Sequence, residues 1–466
     1  EKRERKFLIM ENEKNVDAIY DARVLGKSKM FVLGLQHMFA MFGATVLVPL
    51  LTGLDVSTTL LFAGLGTLLF HLLTKGKVPA FLGSSFAFLG GYFAIAPILE
   101  DGSSNVEMIP YACFGVACAG LLYLVLAGLI KLFSAGKIMR FFPPIVTGPI
   151  IIAIGLTLSQ SAIDNCSSNW LIALVAIVAV IICNIFGKGM IKIVPILIGV
   201  AASYVVAICM GKVDFSGVAS APWIGIPIHK EMTILGMFNN FDASKMITAI
   251  ITIMPIALAT IVEHIGDISA ISSTTGRNYI KEPGLHRTLL GDGLATIVAS
   301  LFGAPANTTY GENTGVLNLS KVYDPFVVRL AAFFAVFFSF CPKFSAVIQS
   351  MPTATVGGIS LILYGMISAV GVRNIVENQV DFTKSRNVII AALILVLSIG
   401  INYSAAGAIA FQIGKITISL SGLAVGALTG IILNAILPGK DYTFDEEIPS
   451  DTAVNFQVGD RQKDAK

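Results

Sequence analysis

The chain has 466 residues, of which 55% are hydrophobic and 13% charged, with a net charge of +3 and a mean hydropathy of +0.80. Soluble domains carry about 25% charged residues, so this much apolar surface reads as a polytopic membrane protein. The small net charge excludes the basic field of a nucleic-acid binder, and six scattered cysteines without a CxxC pair argue against a disulfide framework or a zinc site.

The first thirty residues are charged and lack the short apolar core and cleavage site of a signal peptide, so the first apolar segment is expected to be a retained span. Hydropathy then predicts about fourteen spans in chain order. The first set is 31–51, 57–74, 80–98, 110–134, 143–160, 169–187 and 191–210. A long connection over 211–245 follows, and then 246–270, 287–303, 309–320, 325–347, 352–370, 386–402 and 417–437. The third, ninth and tenth are weak on hydropathy alone. With the N-terminus placed in the cytoplasm, Lys and Arg such as Lys75, Lys137, Arg140, Arg277, Lys321, Arg373 and Arg386 fall in inner loops. Of the short outer loops only those with Lys343 and Lys415 carry a cation, a clear positive-inside bias. Both termini are then cytoplasmic, and the charged tail 438–466 is expected to be solvated and partly disordered.

An odd number of spans in each half inverts one half relative to the other, a common build for secondary transporters. "PPIVTGPIII" from Pro143 and "MPTATVGGIS" from Met351 open corresponding spans, as do "VPAFLGSSFAF" from Val78 and "APANTTYGEN" from Ala304. His37 and Glu263 stand as far apart in sequence as Phe86 and Glu312. The second pair of segments is interrupted by Gly, Ser, Thr, Asn and Pro. Non-helical backbone at membrane depth survives only inside protein or along a cavity, and paired interrupted segments are a pointer to a substrate site. Their free amides can donate to ligand carbonyls.

Ionisable residues inside the spans are few, and each is a candidate pathway or site group. Glu263 and Asp267 lie one turn apart in "IVEHIGD", on the same helical face. Two such acids repel when both ionise, so one should hold a proton, unless both are simply solvated at a wet helix end. Glu312 is either a second site carboxylate or a loop acid. Asn313 is expected to satisfy local backbone or the neighbouring carboxylate, and His264 carries no assigned role. His37 is either a hydrogen-bonded core group or part of a proton relay. Asp292, near Arg287, reads as a helix-end ion pair or cap. Arg329 is expected to snorkel to the inner surface, and Tyr364 to face the site rather than bundle packing.

Taken together, "LQHMFAMFGATVLVP", "PAFLGSSFAF", "EHIGD", "PGLHR", "NTTYGENTGV" and "ILYGMI" resemble the nucleobase–ascorbate transporter family, and within it the bacterial uracil:proton symporters. The resemblance runs from about residue 30 to residue 437, and "ENTGVLNLSK" from Glu312 to Lys321 fits the family signature. It implies an all-α membrane protein of fourteen spans in two inverted seven-span repeats, with short strands in spans three and ten. A cytoplasmic segment 1–30 would precede a core domain over 31–134 and 246–347. A gate domain would cover 143–210 and 352–437, with 211–245 as the extracellular loop. Family likeness further implies a homodimer, an inner-membrane location, uracil as small-molecule partner and no cofactor beyond a coupling proton. It would have Glu263 and Glu312 bind the base through side chains, with backbone donors from Phe86 and Gly311 and with Tyr310 and Tyr364 lining the pocket. Glu263, His37, Asp267 and Glu312 would handle the proton. Asp267 departs from the uracil symporters, which carry His there, and leans toward purine carriers; Glu312 leans back toward uracil. A xanthine or purine permease of the same family is the alternative, an anion carrier of the same seven-plus-seven architecture a weaker one, and no catalytic motif argues for an enzyme.

Overall fold

In hydrocarbon every backbone polar group needs a partner inside the protein, which favours helices. The computed structural model describes residues 18–413, 416–440, 442–444 and 456–458, and they are mostly helical. The first half contains α1 (Lys27–Thr52), α2 (Val56–Leu73), strand β1 (Leu82–Ser84), α3 (Leu89–Ile95), α4 (Ile109–Phe133), α5 (Pro144–Ser167), α6 (Trp170–Phe186) and α7 (Pro195–Cys209). The second half opens with α8 (Ala243–Thr275), interrupted by a 3-10 turn at Met254–Ile256. Next come α9 (Leu285–Leu301), strand β2 (Asn307–Thr309), α10 (Gly311–Ser320), α11 (Pro325–Ser339), α12 (Pro342–Gln349), α13 (Thr353–Glu377) and α14 (Ser385–Asn402). Strands β3 (Ala408–Ile413) and β4 (Ile416–Ser421) and helix α15 (Gly422–Ile436) close the bundle.

Among the described residues seven helices are long and apolar enough to cross a bilayer, or eight if α11 and α12 form one broken span. The segment expected as one span over 325–347 bends by 88° between those two helices. Pro342 at the start of α12 has no amide to continue the ladder, so the second helix starts afresh. The last predicted span begins as strand: β4 pairs antiparallel with β3, and the helix starts only at Gly422. In the tail, Tyr442–Phe444 pairs with Phe456–Val458. Near the N-terminus, Ile19 bridges Val322.

The helices pack in two groups. In one, α4 lies against α9 and the first half of α8, while α11 lies against α1 and α2. In the other, α13 runs along α5 and α6, α14 packs on α5 and α15, and α6 on α7. Small residues let backbones approach in the α5–α13 pair. A Cβ on Gly371 would stand 2.7 Å from the Gly148 carbonyl oxygen, and one on Gly155 only 2.1 Å from the carbonyl oxygen of Tyr364.

One polar contact ties the 211–245 connection to the bundle. Asp55 caps α2, accepting from the Thr58 amide at 2.6 Å and hydroxyl at 2.8 Å, and His229 Nε2 stands 3.6 Å from its other oxygen. Burial pushes the Asp55 carboxyl up, but the hydrogen bonds from His229 and Thr58 outweigh it and leave it below its ordinary 3.8. The hydrogen bond to Asp55 raises His229 above 6.5. The depressed acid stabilises above 3.8, and the raised histidine stabilises fully below 6.5 and loses its contribution as pH climbs through the folded value. Hydrogen-exchange protection around His229, measured relative to the intrinsic rate at each pH, should therefore be greatest between those two values and fall on either side, and His229→Ala should erase the alkaline fall.

Candidate functional site

The two polar, Gly-bearing stretches meet. β1 and β2 pair antiparallel, Leu82 opposite Thr309, Gly83 opposite Thr308 and Ser84 opposite Asn307. Each strand is only three residues long and buried, and its ends are held by side chains. The Thr67 hydroxyl accepts from the Leu82 amide at 2.9 Å, and the Asn307 amide group donates to the Phe62 carbonyl at 2.8 Å. The Tyr310 hydroxyl donates to the Ser84 carbonyl at 2.8 Å. That places its ring over Gly83, where a Cβ would meet two ring atoms at 2.6 Å. Gly83→Ala must displace that ring and with it the start of α10. We expect the variant to lose about 1–3 kcal/mol of stability, the usual cost of overpacking, and thermal unfolding of the purified protein checks it.

Beyond the strand ends lies a cavity of about 690 Å3. Phe86, Glu263, Asp267, Tyr310 and Gly311 line it, and Lys321 and Arg373 are also on its wall. Glu263 and Asp267 share one face of α8, as their four-residue spacing requires. Asp267 Oδ2 accepts from the Thr309 hydroxyl at 3.0 Å, so this acid is fixed against β2 rather than left at a wet helix end. Gly311 opens α10, where first-turn amides lack intrahelical acceptors. Among the described residues neither the Gly311 nor the Phe86 amide has a backbone acceptor. A methyl on Gly311 would stand 3.6 Å from Asp267 Oδ1, so nothing but the cavity and this acid faces it. Glu312 follows in the first turn of α10; its side chain lies outside the described ones.

Two residues of the predicted set stand behind the wall. Tyr364 is 2% exposed, and its ring meets Phe86 edge-on with centroids 6.1 Å apart. His37 is 1% exposed, and the Asn313 side-chain nitrogen reaches its ring Nδ1 at 3.2 Å and donates to its carbonyl at 3.0 Å. Asn313 thus ties α10 to α1.

Asp292 and His264 differ most from expectation. Asp292 sits in the middle of α9, wholly buried, with its Oδ2 3.2 Å from His264 Nδ1. Arg287 instead donates to the Leu73 carbonyl at 3.2 Å, so no helix-end pair forms there. The His264 ring meets Tyr123 and Phe70 edge-on, and its Nδ1 is 3.4 Å from the Thr309 hydroxyl. A contact chain therefore runs from Asp292 through His264 and Thr309 to Asp267 at the cavity. Sequence reasoning also passed over Thr308 and Thr314, cavity-wall residues whose buried hydroxyls have no hydrogen-bond partner. Their signal was present in the polarity of "NTTYGENTG". Orphaned polar groups around one cavity are what a polar ligand would satisfy.

Proteins of known name resemble this chain over most of its length. The uracil permease of Bacillus caldolyticus is 41% identical over 420 residues, covering 88% of this chain and 92% of its own. A probable uracil permease of Haemophilus influenzae is 41% identical over 88% of this chain and 95% of its own, and the uracil permease of Escherichia coli K12 is 34% identical over 90% and 94%. Among solved structures, the transmembrane domain of a cyanobacterium bicarbonate transporter, BicA, superposes with a TM-score of 0.56 at 14% identity, over 90% of this chain and 99% of that one. The murine Solute Carrier 26 family member A9 anion transporter, in its inward-facing state, gives 0.59 at 11% identity over 87% and 67%. These two likenesses are of fold. A permease-family model matches residues 28–407, and with relatives of this identity over most of its length the chain belongs to that permease family, the nucleobase–ascorbate transporters.

Proposed function

We propose that this chain takes uracil up across the cytoplasmic membrane together with a proton, by alternating access. The observation that carries the reading is the convergence of the Glu263 and Asp267 carboxyls with the Phe86 and Gly311 amides on one cavity at a strand crossing. Uracil's imide face alternates N–H and C=O, so it matches carboxyl acceptors, Glu263 and Glu312, interleaved with backbone donors. The orphaned hydroxyls of Thr308 and Thr314 add to the polar wall. A site built this way leaves buried groups unpaired when the wrong base enters, which discriminates strongly. The names of the relatives, uracil permeases, support the same substrate.

The finer architecture belongs to the same proposal. Two inverted seven-span repeats would divide into a core, 31–134 with 246–347, and a gate, 143–210 with 352–437; the two packing groups of helices suit that division. With both termini cytoplasmic, the cavity wall that carries Lys321 and Arg373 faces inward, so this conformation is inward-open. A homodimer formed through the gate suits the lipid-facing helices of that half. Glu263 and Asp267 offset Lys321 and Arg373, so the cavity wall presents no net positive charge to an anion, whatever the fold shares with anion transporters.

Uptake of labelled uracil into proteoliposomes, competed by a panel of unlabelled bases, is the test. Uracil should compete and xanthine should not. Failure to take up labelled uracil, with saturable uptake of labelled xanthine by the same proteoliposomes, would transfer the site to purines, the reading that Asp267 favours.

A further inference from the structure

A second cavity, of about 520 Å3, lies farther along the same cleft between the two packing groups. Continuity with the first is visible along two elements. Ile151 of α5 lines the central cavity and Ile154 and Thr157, one and two turns on, line the second; Phe86 lines the central cavity and its neighbour Ala87 the second. At this junction Phe86, on the wall of the central cavity, meets Tyr364 edge-on. Lys321 and Arg373 line the central cavity and not the second.

The wall of the second cavity has chemistry of its own. Gln160 of α5 is exposed and donates from Nε2 to Asp164 Oδ1 at 2.8 Å, which leaves its amide oxygen to accept. Asn402, at the end of α14, donates to the Thr157 carbonyl at 3.1 Å, and its amide oxygen is likewise an acceptor. Thr252 of α8 is 1% exposed, yet its hydroxyl has no hydrogen-bond partner. A buried hydroxyl is seldom left without a partner, and one on a cavity wall marks a place where a ligand can supply it. Phe93 and Leu158 give the same cavity an apolar wall, against which a flat ring can lie.

We propose that this cavity is a second binding subsite for the same class of ligand, a neutral, planar heterocycle with N–H and C=O groups, held next to the central site at the contact of Phe86 with Tyr364. Gln160 and Asn402 accept its N–H groups, Thr252 donates to a carbonyl, and Phe93 packs on its face. In the inward-open state the subsite is shut off from the centre by Phe86 and Tyr364. When the two helix groups rock, parting that pair joins the cavities into one path, as alternating access requires of the side that is closed. The inference rests on the uracil reading of the central cavity.

Equilibrium binding of labelled uracil to the purified full-length protein tests both. The wild type should bind one equivalent tightly and a second weakly. Gln160→Leu combined with Thr252→Val should weaken the second by about tenfold or more, the loss expected of two ligand hydrogen bonds, and leave the tight one unchanged. Should the double variant not fold, Gln160→Leu alone, at an exposed position, should weaken the second equivalent by about threefold, the loss expected of one ligand hydrogen bond, and again leave the tight one unchanged. A single equivalent in the wild type, identical in the variants, overturns the second subsite and leaves the central reading standing. A wild type that binds no uracil at all overturns both.

Discussion

Glu263→Gln is expected to abolish concentrative uracil uptake driven by an inward proton gradient, while exchange of internal for external base persists at a reduced rate. Glutamine keeps the shape and a hydrogen-bonding oxygen but cannot take up a proton. A charged hydrogen bond to the ligand is worth roughly 1.5–3 kcal/mol, a factor of about ten to a hundred in affinity. Loss of coupling removes accumulation on top of that, because nothing then links the base gradient to the proton gradient. Both Glu263 and Asp267 are on the cavity wall, and Asp267 also has a structural contact, accepting from the Thr309 hydroxyl at 3.0 Å and lying beside Gly311. Asp267→Asn can keep that hydrogen bond through its amide oxygen, so it should reduce the rate and alter base selectivity before it uncouples transport. Uptake and counterflow in proteoliposomes, with and without a pH gradient, separate the two. Gradient-driven accumulation by the Gln variant would sink Glu263 as the coupling group, and its loss in Asp267→Asn alone would move that role one turn along α8.

Much of this site was legible because its chemistry interrupts an otherwise apolar text. Gly, Ser, Thr, Asn and Pro clustered at 78–88 and 304–315 cannot form comfortable lipid-facing helices, so the segments had to be buried. β1 and β2 lie within those two stretches. The four-residue spacing of Glu263 and Asp267 put both on one helical face, and both are on the cavity wall. What stayed hidden depends on contacts between elements far apart in sequence. Nothing near "LLGDGLAT" announces that Asp292 will meet His264 rather than Arg287, since the meeting depends on how α9 packs against α8. The turn at residues 340–341 and the hairpin of β3 and β4 were missed for a different reason. A hydropathy window averages over a bend, and Ile, Leu and Val serve a strand as well as a span. Tyr364 was expected to face the site; it instead backs Phe86, one layer removed, a distinction that spacing along α13 alone does not make.

Asp292→Leu is expected to be the most destabilising of the single substitutions considered, and Asp292→Leu with His264→Leu to recover most of the loss. Asp292 and His264 are both wholly buried, 3.2 Å apart. His264 Nε2 makes no hydrogen bond. Removing one partner of such a pair strands the other polar group in an apolar interior, which costs about 3–5 kcal/mol, whereas replacing both by apolar groups of similar volume is often close to neutral. Thermal unfolding of the purified protein should therefore show a large fall in Tm for either single variant and a smaller one for the double. A single variant with unchanged Tm would mean that the pair carries no net interaction. Transport should not follow the same recovery. The buried pair reaches the cavity through Thr309, whose hydroxyl is 3.4 Å from His264 Nδ1 and donates to Asp267 Oδ2 at 3.0 Å. Taking away both polar groups frees Thr309 from one of its two neighbours and changes the field at Asp267, so the double variant should fold but take up uracil with a displaced pH profile. A double variant with wild-type Tm and an unmoved profile would confine Asp292 and His264 to packing.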